Sequence, residues 1–474
     1  MVDGFFSIFD LNPMVLFTRL KKASFILIIL VLITLPLGCK KFALEFIGGA
    51  FADEIWEDRP AGIACSPSSS PNTISQNELT FSPNRMLCIS ITMDDDAFDR
   101  MRNESRFGPS IKEKNGATAS AVLLEYLGQC GVPFPKEYNW YNADILVDGI
   151  QLKNVGIRKK GFLGSIFSVA PALKINTDRN QAGQSIANTK RITLNNNSED
   201  PTRIIQCFNY KVFELAGYPA PRCNLANVSV NNEALGVYSH IEAINQSFLE
   251  RSFGNSNGAL YEGQLVDFVE DWTLRWDAKT DQTPNIANPL RTLSKILSTT
   301  SDNDLPTELS KHLNIDQFIS FWALEIILGH NDGYCSNRNN FFVYQNPTDQ
   351  NRAVLIPWGL NYIQEDDKKN TLLKDFVGAQ IPRRLSRIPA YRDSLSNRIK
   401  ALLNSVWDEA FLTNYIDGLA LQVKSGQSDA GYDQRVAELK VWVQNRKADI
   451  LGKVNAGIPT GSEKDSKKCY QNDN

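Results

Sequence analysis

The sequence predicts an α+β protein in which a strand-rich first half precedes a mainly helical second half. From about residue 86 to 263, short apolar runs alternate with Gly, Asn and Asp, as strands and turns do. From about 314 onward, apolar residues recur at helical spacing. A chain of 474 residues with 42% hydrophobic residues can bury a large core, so we expect one large domain or two closely packed ones.

The strand predictions follow one another along the first half. MLCISITM alternates and runs into an acidic turn at Asp94 to Asp96. ADILVDGIQLKNVGIRKKGF predicts two strands joined by a turn at Asp148 and Gly149. Further strands are predicted in PALKINT, RITLN, CNLANVSVNNEALGVYSHIEAI and GALYEG. One helix, TRIIQCFNYKVFELAG, lies among them and is predicted to end at Gly217.

The second half begins with the helix NIDQFISFWALEIILGH. Asn314 is placed to cap its start and Gly329 to end it. Asp332 is therefore expected in the loop directly after a helix, before the strands FFVY and AVLIPW. Helical spacing resumes in AYRDSLSNRIKALLNSV, DEAFLTNYIDGLALQVKS and YDQRVAELKVWVQNRKADILGKV.

The N-terminal segment resembles an export signal. A basic patch precedes an apolar run, Ala23 to Leu37, and then Gly38 and Cys39. The run has 15 residues, fewer than the ~20 that a membrane-spanning helix needs, which disfavours a retained transmembrane anchor. A small residue before a cysteine resembles the bacterial lipoprotein cleavage site, so Cys39 is the expected lipidated residue. An ordinary signal peptide cleaved elsewhere is the alternative.

These observations divide the chain into four parts. Residues 1–39 form the predicted signal, with Met14 a better start than Met1, and residues 40–81 form a Gly-, Pro- and Ser-containing flexible tether. Residues 82–455 form the folded domain and residues 456–474 a polar tail. Together they predict an exported protein attached to the membrane of a bacterial cell envelope through its lipid.

Charge and cysteine content exclude some functions. With 50 Lys and Arg against 53 Asp and Glu, the chain has no excess of positive charge for nucleic acid, which we do not expect as a partner. Beyond Cys39, seven cysteines remain at irregular spacing without a CxxC pair, so no zinc site is predicted. Disulfides are compatible with export, but the spacing does not specify their pairing.

Several residues follow one another in the order that phosphoryl transfer requires. That reaction needs a lysine on the nucleotide phosphates, an acid that holds this lysine, a carboxylate near the acceptor hydroxyl, and ligands for a divalent metal. The basic glycine loop IRKKGFLGS contains Lys159, Lys160 and Gly161, and Lys174 follows in the apolar strand ALKIN. Taken singly, each has an ordinary structural explanation, such as a hairpin turn or a strand lysine that faces solvent.

The later candidates complete this order. Glu242 follows the strand GVYSHI, Asp332 lies in the predicted loop, and Asn340 stands at the mouth of the strand FFVY. An asparagine cluster usually serves only the backbone of its own loop, so no single residue here is decisive. Their occurrence together favours a nucleotide and metal site.

The sequence resembles the CotH kinase family, the secreted atypical kinases related to the spore coat protein CotH. The resemblance runs from about Met86 to Val454 and depends on DILVDGIQLKNVGIRKKG, RITLNNNSEDPTRIIQCFNYKVFELAGYPAPRCNLANVSVNNEALGVYSHIEAI, LGHNDGYCSNRNNFFVY and VLIPWGLN. It implies a two-lobed, atypical protein-kinase-like fold with a sheet-rich N-lobe and a helical C-lobe. It also implies ATP with Mg²⁺ or Mn²⁺ as cofactors, and phosphate transfer to Ser or Thr of an unidentified exported protein.

The resemblance also implies roles for individual residues. Lys174 would contact the phosphates, and Glu242 would pair with Lys174 or help the metal. Asp332 would be the catalytic acid of the loop. Asn340 and Asn361 would be metal ligands.

The motif VLIPWGLN departs from the family pattern, in which PWD is followed by one residue and then Asp or Asn. The first Asp holds the metal in the family, and Gly359 stands there in this sequence. Glycine supplies neither charge nor ligand, so a loss of ~10² to 10⁴ in rate is expected. Substitution by Glu365, Asp366 or Asp367 is one possibility, and a solvated acidic run is the other.

The sequence therefore leaves more than one function open. The leading hypothesis is an exported, lipid-anchored Ser/Thr kinase. The alternative is a catalytically impaired pseudokinase that serves as a binding or structural module at the cell surface.

Overall fold

The computed structural model describes residues 62–65, 81–106, 128–135, 138–161, 170–280, 287–361, 373–427 and 429–463. Within these ranges a strand-rich lobe precedes a mainly helical lobe, which confirms the predicted two-lobed α+β arrangement. Cys39 and the acidic run from Glu365 to Asp367 lie outside the described residues.

The N-terminal lobe is built on a closed barrel of seven strands. Its strands are β1 (Leu87–Thr92), β2 (Tyr141–Val147), β3 (Ile150–Lys159), β4 (Leu173–Asn176), β5 (Arg191–Asn195), β6 (Cys223–Val230) and β7 (Glu233–Ile241). They are ordered β1-β2-β3-β4-β5-β7-β6, and a parallel pairing of β1 with β6 closes the barrel. Side chains such as Ile89, Val155 and Val228 are fully buried inside it, because alternate residues of a strand point to the same side.

A helix, α1 (Asp95–Asn103), follows β1 where the sequence predicts only an acidic turn. The side chain of Asp94 accepts a hydrogen bond from the backbone N–H of Ala97 and caps the helix. The same acidic residues that suggest a turn also favour a helix start, because negative charge is stabilised at a helix N-terminus. Phe98 and Met101 of α1 pack into the barrel core.

A second sheet of four strands lies in the C-terminal half. Its strands are β8 (Leu260–Gly263), β9 (Asp277–Ala278), β10 (Phe341–Asn346) and β11 (Arg352–Pro357), in the order β11-β10-β8-β9. β10 pairs antiparallel with both β11 and β8. The two strands predicted after Asp332 are therefore present, and they join a sheet with the strand of GALYEG.

The remaining helices surround this sheet and link it to the barrel. They are α2 (Ile205–Leu215), α3 (Gln246–Phe253), α4 (Ala287–Thr299), α5 (Leu305–Leu309), α6 (Ile315–Leu328), α7 (Tyr334–Asn337), α8 (Gln380–Leu385), α9 (Pro389–Ser405), α10 (Glu409–Gly426) and α11 (Tyr432–Ala456). Short 3₁₀ helices span Glu270–Arg275, Pro347–Asp349 and Leu373–Val377. No helix in the described ranges is long and apolar enough to cross a membrane.

Helix α6 is the central helix of the C-terminal lobe. Its predicted cap is present, since the side chain of Asn314 accepts from the N–H of Gln317. Gly329 ends it with a φ of 65°, a left-handed conformation that glycine adopts without strain. Phe321 and Trp322 are fully buried, and helices α9 and α11 pack against α6. This packing fixes the end of α6, from which the loop containing Asp332 departs.

Two disulfides involve residues near the barrel. Cys207 of α2 is bonded to Cys223 of β6, and Cys65 is bonded to Cys88 of β1. Each pair joins segments that are separate in sequence, which is why spacing did not reveal the pairing. Cys335 is a buried free thiol.

A short segment, Gly62 to Cys65, links the barrel to the end of α10. It lies in the predicted tether, yet the N–H of Ile63 donates to the carbonyl of Gly426 at 2.9 Å, at the end of α10. The carbonyl of Ile63 accepts from the Asn227 side chain of β6 at 2.7 Å. We call this segment the back strap, since it contacts both lobes and is bonded to β1 through Cys65.

Candidate functional site

A cavity of about 460 Å³ lies between the barrel and the four-stranded sheet. Its volume is within the range of small-molecule sites. Seven of the residues that the sequence predicts for binding or catalysis line it: Lys159, Lys160, Gly161, Lys174, Asp332, Asn340 and Asn361. The structure thus brings together side chains that are up to 202 positions apart in the sequence, from 159 to 361.

The loop that contains Asp332 is wound around a buried carboxylate. Glu325, in the last turn of α6, is fully buried and accepts from the backbone N–H groups of Tyr334 at 3.0 Å and Cys335 at 2.8 Å. His330 is also fully buried, with its Nδ1 3.6 Å from Glu325 Oε1. These contacts satisfy the N–H groups that begin α7 and set the path of residues 330 to 335.

A second buried carboxylate holds the other side of this loop. Asp267 accepts from the Tyr334 hydroxyl at 3.0 Å and from the N–H of Gln380 at 2.8 Å, and it lies 3.4 Å from Arg338 Nε. Burial raises the pKa of Asp267, while Arg338 and these hydrogen bonds oppose the rise. The loop is therefore anchored to the helical lobe from two directions.

Asp332 is held by amide groups from the same loop. Its carboxylate accepts from the side chains of Asn337 at 2.6 Å, Asn339 at 3.3 Å and Asn340 at 2.5 Å. Asn340 has a φ of 53°, a left-handed conformation that asparagine tolerates better than most residues. Three of the clustered asparagines thus orient the Asp332 carboxylate at the cavity wall, in addition to any hydrogen bonds that they make with the loop backbone.

Positive charge is concentrated on the barrel side of the cavity. Lys174 of β4 is directly opposite Arg158 of β3, and Lys160 follows two positions after Arg158 on the same face. Like charges placed opposite each other across a sheet repel. Burial and the charge of Lys174 lower the pKa of Lys160 to about 7. This arrangement favours an anionic ligand.

Lys159 lines the same cavity but is held by backbone. Its ammonium group donates to the carbonyl of Arg102, in the last turn of α1, at 2.9 Å and to that of Glu104, just after the helix, at 3.0 Å. Burial lowers the pKa of Lys159 to about 7. Lys159 therefore connects β3 to the C-terminal end of α1. The predicted contact of Lys159 with phosphate remains a prediction.

Glu262 is the acid that faces these lysines. It lies on β8, is buried, and forms an ion pair with Lys279 at 2.6 Å. Burial alone would raise its pKa, but Lys279 and then Lys174 lower it to about 2. An ionised carboxylate near Lys174 is what the chemistry requires to position that lysine.

Glu242 does not take the role expected for it. It forms ion pairs with Arg222 at 2.8 Å and Arg251 at 2.7 Å, and these two arginines lower its pKa against the effect of burial. Ile241 lines the cavity, whereas Glu242, just beyond the end of β7, is not among the lining residues. The expected pairing of Glu242 with Lys174 is corrected, because Glu262 occupies that place.

Glu199 is a further acid at the cavity, and the sequence analysis gave it no role. It lies between β5 and α2, and its Oε2 accepts from Asn361 at 3.3 Å. Although Glu199 is solvent-accessible, the surrounding cleft walls raise its pKa, and so does the charge of Asp332. Two carboxylates, Glu199 and Asp332, therefore lie near each other in the cavity lining.

Gly359 also lines the cavity, and the side chain of Asn340 occupies the space that a side chain at position 359 would need. A Cβ built at Gly359 would lie 2.4 Å from Oδ1 of Asn340, and the glycine has a φ of 57°. The side chain of Asn340 thus fills the space that a residue at 359 would need. A simple restoration of aspartate at this position would displace Asn340.

The donor atoms at this end of the cavity fit a hard divalent cation. Asp332, Asn340, Asn361 and Glu199 offer carboxylate and amide oxygens, which suit Mg²⁺ and Mn²⁺. Within the described ranges, no group of three or more His, Cys, Asp and Glu side chains is close enough to hold a metal. A cation here would depend on two carboxylates supplemented by amides, water and phosphate oxygens.

Two acids at this cavity have no role predicted from the sequence. Glu262 lies within the short strand β8, and Glu199 lies in the run NNNSED, four residues after the end of β5. These positions share no common signal in the sequence, and only the fold shows that both acids line one cavity.

Residues 165–449 match the family model described as "CotH kinase protein". Similar curated proteins come from Rhizopus delemar. "Invasin CotH7" is 23% identical over 49% of this chain and 42% of its own length, and "Spore coat protein homolog 1" is 22% identical over the same shares. "Invasin CotH3" is 26% identical over 36% of this chain and 31% of its own. The chain thus spans less than half the length of these curated relatives.

Two solved structures also share a limited likeness. A Shewanella oneidensis complex of HipA, HipB and operator DNA matches with a TM-score of 0.32 at 12% identity, covering 63% of this chain and 66% of that one. The Helicobacter pylori proinflammatory kinase CtkA matches with a TM-score of 0.28 at 10% identity, covering 68% and 93%. At these TM-scores the likeness adds nothing to the family match.

The burial of Glu325 under the loop leads to a testable prediction. Glu325→Gln replaces an acceptor by a group that also donates, so the N–H groups of Tyr334 and Cys335 lose charge-assisted bonds. We expect the free energy of unfolding, measured by urea titration, to fall by about 2 to 3 kcal/mol.

Glu308→Gln is the matched control, since Glu308 is exposed and pairs with Lys311 on the surface. Its effect should stay within about 0.5 kcal/mol. Equal stability losses in the two variants would contradict the role assigned to Glu325.

Proposed function

This chain belongs to the CotH kinase family, and from that premise we propose that it transfers phosphate from ATP to Ser or Thr side chains of other exported proteins. One observation carries the proposal: Lys174 of the barrel and Asp332 of the helical lobe line the same cavity between the lobes. Lys160 and Lys174 come from the barrel, and Asp332 comes from the loop after α6. Cationic and carboxylate groups in one cavity suit a ligand with anionic phosphates and a bound metal.

The residues divide into roles by position. Lys174 and Lys160 bind the phosphates, and Glu262 orients Lys174. Asp332 accepts the proton of the acceptor hydroxyl, with its carboxylate kept in place by Asn337 and Asn339. Asp332, Asn340 and Asn361 would hold Mg²⁺ or Mn²⁺, which neutralises phosphate charge when bound.

A pseudokinase is the second candidate, and the geometry around Gly359 favours it. The family's metal-binding Asp is missing, and Asn340 fills the space of that side chain. A site of this kind retains nucleotide binding through its lysines while the chemical step slows. The protein would then act as a binding or structural module at the cell surface.

The proposed location is a bacterial cell envelope, with the protein exported and anchored in the membrane by a lipid on Cys39. The basic and apolar N-terminal residues before Gly38 and Cys39 support this part of the proposal. The curated relatives described above are fungal, so the bacterial assignment depends on this N-terminal pattern alone.

The enzymatic proposal predicts a specific loss. Full-length protein with ATP and Mg²⁺ or Mn²⁺ should transfer labelled phosphate to itself or to a Ser/Thr protein, and Asp332→Ala should lower the rate at least about 100-fold. Asp96→Asn, an exposed substitution on α1, serves as control and should leave the rate unchanged. If the wild-type rate does not exceed that of Asp332→Ala with either metal, the pseudokinase alternative replaces the enzyme.

A pH dependence follows from Lys160. Its lowered pKa means that it is charged below about pH 7 and increasingly neutral above, so binding a polyphosphate at higher pH must also drive proton uptake. Affinity for ATP, titrated with EDTA present, should therefore fall between pH 7.5 and 9, by up to about tenfold per pH unit.

Lys160→Arg is the matched variant, because a guanidinium stays charged throughout this range. Its ATP affinity should change little between pH 7.5 and 9. A wild-type affinity that stays constant or rises with pH would rule out this use of Lys160.

The anchor can be tested by mass spectrometry of protein purified from membranes. The wild type should carry acyl chains on Cys39, and Cys39→Ser should carry none and move to the soluble fraction. Wild-type protein without lipid would overturn the anchoring proposal but leave the kinase proposal intact.

A further inference from the structure

The end of the cavity near Gly359 lacks the carboxylate that this family uses for its metal. Asn340 occupies the space beside Gly359, with its Oδ1 2.4 Å from where a Cβ would lie. Asn340 and Asn361 offer only neutral oxygens. A dication between phosphates is held mainly by anionic oxygen, so this end needs a second carboxylate beside Asp332.

We propose that Glu199 supplies this anionic oxygen and completes a divalent-cation site with Asp332 and Asn361. The inference depends on the proposed nucleotide function, since it assigns a further ligand in the same cavity. It differs from the family arrangement in where the charge originates. The carboxylate comes from the barrel-side loop after β5 rather than from the strand end that contains Gly359.

The loop that carries Glu199 is fixed by its neighbour. Asp200 is fully buried and accepts from the N–H and hydroxyl of Thr202, at 2.8 and 2.6 Å, and from the N–H of Ile205 at 2.8 Å. The bond from Ile205 satisfies the first N–H of α2, and the two bonds from Thr202 hold the loop that precedes the helix. Glu199 is accessible and faces the cavity.

Glu199 also contacts the motif from which the family ligand has been lost. Its Oε2 accepts from Nδ2 of Asn361 at 3.3 Å, and Asn361 follows Gly359 by two positions. Leu360 between them is held in turn, because its carbonyl accepts from Asn209 of α2 at 2.8 Å. The segment after β11 is thus attached to the segment that carries Glu199.

The charges at this end favour a cation. Glu199 and Asp332 are both near enough to the same space to repel each other, and a dication between them would convert that repulsion into attraction. The Asp332 carboxylate is held by amides from its own loop, with no lysine or arginine among its hydrogen-bond partners in the described residues. The lysines of the cavity lie instead around Glu262.

The test uses full-length protein and Mn²⁺, whose free concentration is measured by electron paramagnetic resonance. Titrations are made with Mn²⁺ alone and with Mn²⁺ plus ATP, for the wild type and Glu199→Gln. We expect Glu199→Gln to weaken Mn²⁺ binding at least about tenfold in the presence of ATP. Affinity for ATP with EDTA present should stay the same, because the lysines are untouched.

Glu214→Gln is the matched control, an exposed glutamate of α2 that pairs with Lys211 on the surface. It should bind Mn²⁺ as the wild type does. A second variant combines Glu199→Gln with Asn361→Asp, so the negative charge is removed at position 199 and introduced at position 361. This variant should restore Mn²⁺ affinity to within a few-fold of the wild type.

The outcomes separate the two proposals. Wild-type protein that binds neither ATP nor Mn²⁺·ATP would defeat the proposed function itself. If Glu199→Gln binds Mn²⁺ as tightly as the wild type, the assignment of Glu199 is wrong. The same conclusion follows if adding Asn361→Asp to Glu199→Gln does not restore Mn²⁺ affinity. Either result would leave the proposed function unaffected.

Discussion

The buried carboxylate of Glu325 is the interaction on which the arrangement of the site depends. A charged group without exposure is stable in a protein interior only when donors surround it, and the backbone N–H groups after His330 provide them. The loop must therefore curl back over the end of α6. This path of the loop places Asp332 at the cavity. Asp267 also holds the loop, through its hydrogen bond with the Tyr334 hydroxyl, and links it to the N–H of Gln380.

The cleft separates charge between the two lobes. The barrel contributes Lys160 and Lys174, while the loop after α6 contributes Asp332. Glu262 and Glu199 are exceptions to this distribution of charge. Glu262 lies on the four-stranded sheet but is near Lys174 of the barrel, and Glu199 lies on the barrel side but is near Asp332. The proposed metal-bound nucleotide would suit such a cavity, because it combines anionic phosphates with a cation.

Much of the fold was predictable because local signals determine it. Asn314 and Gly329 mark the ends of α6, and the turn at Asp148 and Gly149 joins β2 to β3 as expected. The closed barrel was not predictable, since the parallel pairing of β1 with β6 joins segments more than a hundred residues apart. The two disulfides join cysteines only 23 and 16 residues apart, but their pairing also depends on how the strands and α2 pack.

The candidate site also combines residues that local signals predict with residues that only the fold identifies. Asp332 and Lys174 could be placed from a helix end and an apolar strand. Glu242 was assigned to the wrong partner because the sequence does not show which cations meet it in the fold, and these are Arg222 and Arg251. Glu262 and Glu199 could be recognised only from the fold, which brings β8 and the loop after β5 to one cavity.

The back strap has a mechanical consequence for any motion of the two lobes. Ile63 bonds to Gly426 on one side and to Asn227 on the other, and Cys65 ties the strap covalently to β1. These contacts hold β6 and α10 at a fixed separation, so relative motion of the two lobes is smallest there. Reduction of the Cys65–Cys88 bond would remove the covalent part of this linkage and leave only its hydrogen bonds.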